Sequence, residues 1–182
     1  MRNGRHVVTV FGSAVPAAGT SEYQVAYELG ILLARSGFGV CNGGYGGTME
    51  GSAQGAHDGG GTCIGVITSY YSRSGNPWIS EIIETETPVA RLLRLIEEGD
   101  AYVFLPGGTG TLLELAAVWE FMNKGITPLR PAVLLGDFWS EVVSAVMRGL
   151  EHEGRTGSGD FIAQANTPDE CVRILSTLLK VK

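Results

Sequence analysis

Short apolar runs, too brief to be helices, alternate with longer stretches of helical spacing along all 182 residues. That alternation limits the fold more than any other feature of the chain. Residues 6–11 (HVVTVF), 38–41, 63–67, 101–105 and 131–135 read as strands, with shorter ones at 82–84 and, on a sheet edge, 161–163. Residues 21–35, 48–57, 88–99 and 139–150 carry helical patterns, and another leads from the turn 107–111 to about Lys124. Pro88 sits in the first turn of its helix. Thr167-Pro168-Asp169-Glu170 is a further helix start, with an N-cap threonine, proline at the first position and glutamate three residues on. Residues 69–79, polar and aromatic with a Gly75-Asn76-Pro77 turn, read as a surface loop. Strands that alternate with helices predict a parallel sheet. The expectation is one α/β domain over residues 1–182: a doubly wound parallel sheet with helices on both faces.

Such sheets bind ligands at the carboxyl ends of their strands, where helix N-termini point. Three glycine-bearing turns fall there: Gly12-Ser13, the run Gly43-Gly44-Tyr45-Gly46-Gly47-Thr48, and Gly107-Gly108-Thr109-Gly110-Thr111. The chain holds 27 glycines, roughly twice the usual share. Twelve of them lie between Gly37 and Gly65. Bare peptide groups at a helix N-terminus can line a phosphate; the alternative is tight turns that let helices pack closely on the sheet. The second turn fits Gly-x-Gly-x-x-Gly only in awkward registers and has no acidic residue ending a following strand, which argues against a nicotinamide oxidoreductase. No Gly-Lys-Ser/Thr occurs, so a P-loop is excluded.

The third turn is the most informative, because Pro106–Thr111 runs on through Leu112-Leu113 to Glu114. From Leu112 to Met122 the only other charged residue is Glu120, so this helix is expected to be buried. A carboxylate there is costly unless paired or working. Thr111-x-x-Glu114 also matches a capping box, in which the glutamate only satisfies backbone donors. Arg91, taken by itself, reads as a solvated helix arginine beside Arg94 and Glu98.

Together these stretches resemble the LONELY GUY (LOG) family, long labelled "lysine decarboxylase-like". Pro106–Glu114 matches its PGGxGTxxE signature, Phe11-Gly12-Ser13 its first turn, and residues 43–49 its second glycine loop. Arg91 stands nine residues before Asp100, as the family arginine does, and Trp119, Gly125 and Arg130-Pro131 follow in order. The resemblance spans about residues 6–178. It implies a Rossmann-like fold, usually dimeric, and hydrolysis of the N-glycosidic bond of nucleoside 5′-monophosphates such as cytokinin riboside monophosphates or AMP. It implies no metal or cofactor. It makes Arg91 and Glu114 the catalytic pair. The glycine turns, with Ser13, Thr48, Thr109 and Thr111, are expected to bind the phosphate. The family arginine typically lies within Met-His-x-Arg-Lys, whereas here the stretch is Pro88-Val89-Ala90-Arg91-Leu92. A non-catalytic carrier of a nucleotide or molybdopterin-type ligand is the alternative reading.

The remaining features bound the partners. Thirteen basic and nineteen acidic residues give a net charge of −6, which argues against nucleic-acid binding. Arg2 and Arg5 before an apolar run loosely mimic a signal peptide, but Gly12 interrupts the run, and no stretch reaches the length of a membrane span. A cytoplasmic protein, not associated with membranes, is expected. Cys41, Cys63 and Cys171 lack metal-ligand spacing, and Cys41 and Cys63, in apolar runs, read as small core residues. His6, His57 and His152 are isolated. The lysines are Lys124, Lys180 and Lys182, poorly placed for the Schiff base that a pyridoxal-phosphate decarboxylase needs. A homodimer is expected from the family and from the apolar helix that carries Glu114.

Overall fold

The computed structural model describes residues 1–2 and 4–180. Each predicted strand forms, and all enter one seven-stranded sheet. In chain order these are β1 (Val7–Phe11), β2 (Gly39–Asn42), β3 (Cys63–Thr68), β4 (Glu81–Thr85), β5 (Ala101–Phe104), β6 (Ala132–Leu135) and β7 (Ile162–Ala165). The helices are α1 (Ser21–Arg35), α2 (Thr48–Asp58), α3 (Pro88–Glu98), α4 (Thr109–Asn123), α5 (Ser140–His152) and α6 (Pro168–Leu178). The order across the sheet is β4-β3-β2-β1-β5-β6-β7, and every pairing is parallel. The doubly wound Rossmann-like α/β expectation is therefore met. The two weakest strand signals, at 82–84 and 161–163, become the two edge strands. A strand paired on one side only needs little apolar sequence, and β4 is largely exposed.

Local chemistry explains the helix starts. The Thr20 hydroxyl accepts from Tyr23 N–H, Thr87 from Ala90 N–H, and Thr167 from Glu170 N–H. Pro88 and Pro168 occupy the first turns, where a missing N–H costs nothing. The Glu170 carboxylate completes the α6 start by accepting from Asn166 N–H at 2.7 Å.

Alternation along β1 separates two cores. Val8 and Val10 pack under α1, α2 and α6 with Leu29, Ala53 and Leu175. Val7 and Phe11 face the other layer with Leu95, Leu115 and Val118. Thr9 on that second face is fully buried and satisfies itself by donating to the Leu95 carbonyl. The expected burial of α4 holds for one face alone: Leu115, Val118, Trp119 and Met122 are buried, while Leu112 and Leu113 are 39% and 59% exposed. An apolar sequence without helical periodicity hid that division. Cys41, Cys63 and Cys171 are buried and free, in keeping with core residues. No helix among the described residues is long and apolar enough to cross a membrane.

Much of the glycine excess serves α1 against α2. A Cβ on Gly55 would run into the Tyr27 carbonyl oxygen and stand 3.0 Å from Ile31 N, both on the α1 backbone. The same closeness holds from the other side, where a Cβ on Gly30 would lie 2.8 Å from Ala56 N. The packing alternative for these glycines is thus realised in a helix–helix contact.

Candidate active site

Strand order places a crevice between β1 and β5, because the chain winds outward in opposite directions from that pair. Gly12 and Ser13 leave β1 on one side of it, and residues 105–111 leave β5 on the other. Between them lies a cavity of about 520 Å³, within the range of small-ligand sites. Of the residues selected from sequence, Gly12, Ser13, Arg91, Gly108, Thr109, Gly110, Thr111 and Glu114 line it. A larger hollow of about 650 Å³, bounded by Leu129, Phe161, Ile174 and Leu178, shares none of these residues.

The second glycine loop stands mostly behind the wall. Gly43, Gly44, Gly46, Gly47 and Thr48 are not among the lining residues, and neither is Gly107. Asn42 organises this loop: its Oδ1 accepts from Gly44 N–H at 2.9 Å, and its Nδ2 donates to the Met49 carbonyl and the Ser52 hydroxyl. Thr48 ties the loop to the first turn, its N–H and hydroxyl both donating to the Ser13 carbonyl. Gly43 has a specific duty, since a Cβ there would occupy the position of the Arg91 guanidinium.

Arg91 is not a solvated arginine. Its Nε donates to the Val66 carbonyl and its Nη2 to the Gly43 carbonyl, each at 2.7 Å. Nη2 also approaches the Met49 sulfur at 3.9 Å. All these partners are neutral, and Nη1 has none among the described residues. Arg94, one turn on, pairs with Glu98 instead. The cavity therefore has a forked cation on its wall that is held in place but not neutralised.

Glu114 also escapes its structural alternative. The N-cap of α4 is Gly108, so Thr111 lies inside the first turn and the capping box does not form. The carboxyl is partly buried and faces the same cavity as Arg91. Burial pushes its pKa up from 4.5 to about 7, against the opposing pull of the Arg91 charge. Trp139 braces the strand end that leads to this helix, its indole N–H donating to the Leu105 carbonyl at 2.9 Å. Asp100, by contrast, lies at the start of β5, where burial would raise its pKa but the Val7 N–H and the N-terminal ammonium together lower it.

Sequence reading missed five residues of the wall: Ala14, Tyr45, Met49, Tyr71 and Arg73. Tyr45 was visible as the one large side chain within a glycine run. Tyr71 and Arg73 lie in the aperiodic stretch between β3 and β4, where no spacing announces a role. Among the described residues, no group of three His, Cys, Asp or Glu side chains gathers that could hold a metal ion.

Fold and site define a doubly wound α/β protein whose switch-point crevice holds a partly buried carboxyl and a fixed arginine. Residues 5–169 match the SLOG cluster4 family, and the chain belongs to it. The LOG resemblance is borne out by curated relatives. A cytokinin riboside 5′-monophosphate phosphoribohydrolase of Rhodococcoides fascians is 33% identical over 154 residues, covering 82% of this chain and 76% of the relative. Its namesake from Mycobacterium tuberculosis is 33% identical over 156 residues, covering 83% and 82%. Among solved structures, the molybdenum cofactor binding protein of Rippkaea orientalis aligns with a TM-score of 0.78 at 25% identity, covering 96% of this chain and 98% of that one. The molybdenum cofactor carrier protein of Chlamydomonas reinhardtii shares the fold, with a TM-score of 0.76 at 22% identity over 97% and 99% of the two chains.

Proposed function

We propose that this protein is a phosphoribohydrolase that adds water across the N-glycosidic bond of nucleoside 5′-monophosphates, releasing the base and ribose 5-phosphate. The observation that carries the reading is the pairing, in one cavity, of Glu114 and the un-neutralised Arg91 beside the glycine turn at the start of α4. The N–H groups of residues 108–111 and the turn at Gly12-Ser13 hold the phosphate, where the α4 N-terminus favours negative charge. Gly43, Gly44, Gly46, Gly47, Thr48 and Gly107 shape the turns from behind. Phosphate binding, remote from the scissile bond, positions the ribose. As the base departs, C1′ gains oxocarbenium character; the Glu114 carboxylate stabilises that charge and takes a proton from the attacking water, whose hydroxyl ends on C1′ while the departing base gains one proton in return. Arg91 orients the nucleotide through its free Nη1 edge.

The test is incubation with AMP, isopentenyladenosine monophosphate and a panel of other monophosphates, with chromatography of the released base. Cleavage of at least one is expected, with the unphosphorylated nucleosides at least about tenfold slower because they forfeit the remote binding energy. No cleavage of any purine or pyrimidine monophosphate overturns the reading.

The similarity to molybdenum cofactor proteins supports a second reading, in which the same crevice carries a molybdopterin-type phosphorylated ligand without converting it. Purified protein that retains such a ligand and turns over no monophosphate would favour it. We also propose that two copies associate through the exposed Leu112–Leu113 corner of α4. Sedimentation is expected to give a dimer, and Leu113→Glu to shift it toward the monomer.

A further inference from the structure

Tyr45 is anchored more firmly than a cavity-lining aromatic needs to be. Its hydroxyl accepts from Thr68 N–H at 3.0 Å and donates to the Thr68 carbonyl at 3.2 Å. Its own carbonyl accepts from Asn76 Nδ2 at 2.9 Å, and the Tyr71 ring stands edge-on with centroids 6.0 Å apart. The ring is thus fixed at both ends, and the Arg91 guanidinium carbon lies 5.2 Å from its centroid.

The two hydrogen bonds from Arg91, to Val66 and Gly43, hold one edge of the guanidinium, and a tilt of its plane about that edge is resisted by the side-chain torsions and by what packs on its face. An aromatic face against the planar group opposes that tilt. We propose that Tyr45 is a positioning residue that sets the plane of the Arg91 guanidinium and so aims its free Nη1 edge at the ligand. The inference rests on the functional reading above for its kinetic consequences, though not for its structural ones.

The experiment is a double-mutant cycle. Tyr45→Leu is expected to raise KM and the AMP dissociation constant about tenfold, within the strength of a partly desolvated cation–aromatic contact. Tyr45→Phe, which keeps the face, is expected to stay within about threefold of wild type. In an Arg91→Ala background, Tyr45→Leu should add less than about twofold. Loosening Arg91 should also move the acid limb of the activity profile to higher pH, a shift that a purely structural role for Tyr45 would not produce. Exchange of the Arg91 Nε–H with solvent, followed by NMR without ligand, is expected to be slow in wild type and Tyr45→Phe and at least about tenfold faster in Tyr45→Leu. Tyr45→Met replaces Tyr45→Leu if the latter does not fold. An equal loss in both backgrounds, or unchanged Nε–H exchange in Tyr45→Leu, overturns the proposal. A wild-type protein that cleaves no monophosphate overturns the hydrolase reading alone, because the exchange measurement still decides the role of Tyr45.

Discussion

Glu114→Gln is expected to lower turnover of nucleoside monophosphates by about 10²–10⁴, the usual worth of a positioned acid–base group. Affinity should stay within a few-fold, since glutamine keeps the shape and the phosphate contacts lie elsewhere. The wild-type rate should rise with pH up to about 7, where the buried carboxyl ionises. Arg91 and Arg73 are the charged groups that share its cavity, and Tyr45 and Tyr71 the other titratable ones. A bound phosphate dianion adds negative charge nearby, so the limb in kcat should lie at higher pH than the limb in kcat/KM. Stability should move the opposite way from activity. The folded state holds the Glu114 proton more tightly than the unfolded chain does, so stability from this group falls as pH rises from about 4.5 to about 7. Glu114→Gln should therefore be more stable than wild type by roughly 1–3 kcal/mol at pH 8, with the difference vanishing below pH 4.5. Calorimetry at the two pH values reads this directly; a variant no more stable than wild type at pH 8 would remove the case for a strained carboxyl.

The second large effect is on the fold. Gly55→Val places carbon against the Tyr27 carbonyl and the Ile31 N–H of α1, and backbone cannot swing aside as a side chain can. Separating the helices would expose Leu29, Leu33 and Ala53 of the shared core. Overpacking of this kind costs about 1–3 kcal/mol, partly offset by the better helix propensity of valine. A net loss of about 2 kcal/mol is expected, or a Tm lowered by roughly 4–8 °C for a chain of this size. Gly60→Ala is a poor control because its φ is +80°; Gly149→Ala, within α5 and with open space at its Cβ, should be neutral or stabilising. A Gly55→Val protein melting with wild type would show that α1 and α2 tolerate separation.

What the sequence revealed, and what it hid, follows from the range of the forces involved. The caps of α1, α3 and α6 are local, and the strand–helix rhythm fixed the elements within a residue or two. The third glycine turn and Glu114 are contiguous, so their cavity position was foreseeable. The position of the second glycine loop behind the wall was hidden because a glycine that faces a ligand and one that makes room for a half-buried arginine look alike in one dimension. Arg91 reaches that loop across 48 residues, and no periodic pattern of α3 encodes such a contact. Tyr71 and Arg73 were lost for the same reason, since only the folding of the 69–80 stretch over the Gly44–Tyr45 turn brings them to the crevice. Asn76 fastens that stretch, its N–H donating to the Gly44 carbonyl at 2.8 Å.

Arg91 has its hydrogen-bond acceptors in the main chain, at Val66 on a strand and Gly43 in a turn. Peptide carbonyls are present whatever residue carries them, so no single substitution deletes either acceptor. The helix around the arginine can therefore drift: Pro88 and Val89 stand where the LOG pattern has methionine and histidine, and Val89 is 67% exposed. Tolerance should be reversed in the turn, where any side chain at Gly43 evicts the guanidinium. In a lineage of such proteins, the stretch that bears the arginine is free to change its spelling, while the silent glycine opposite it is not.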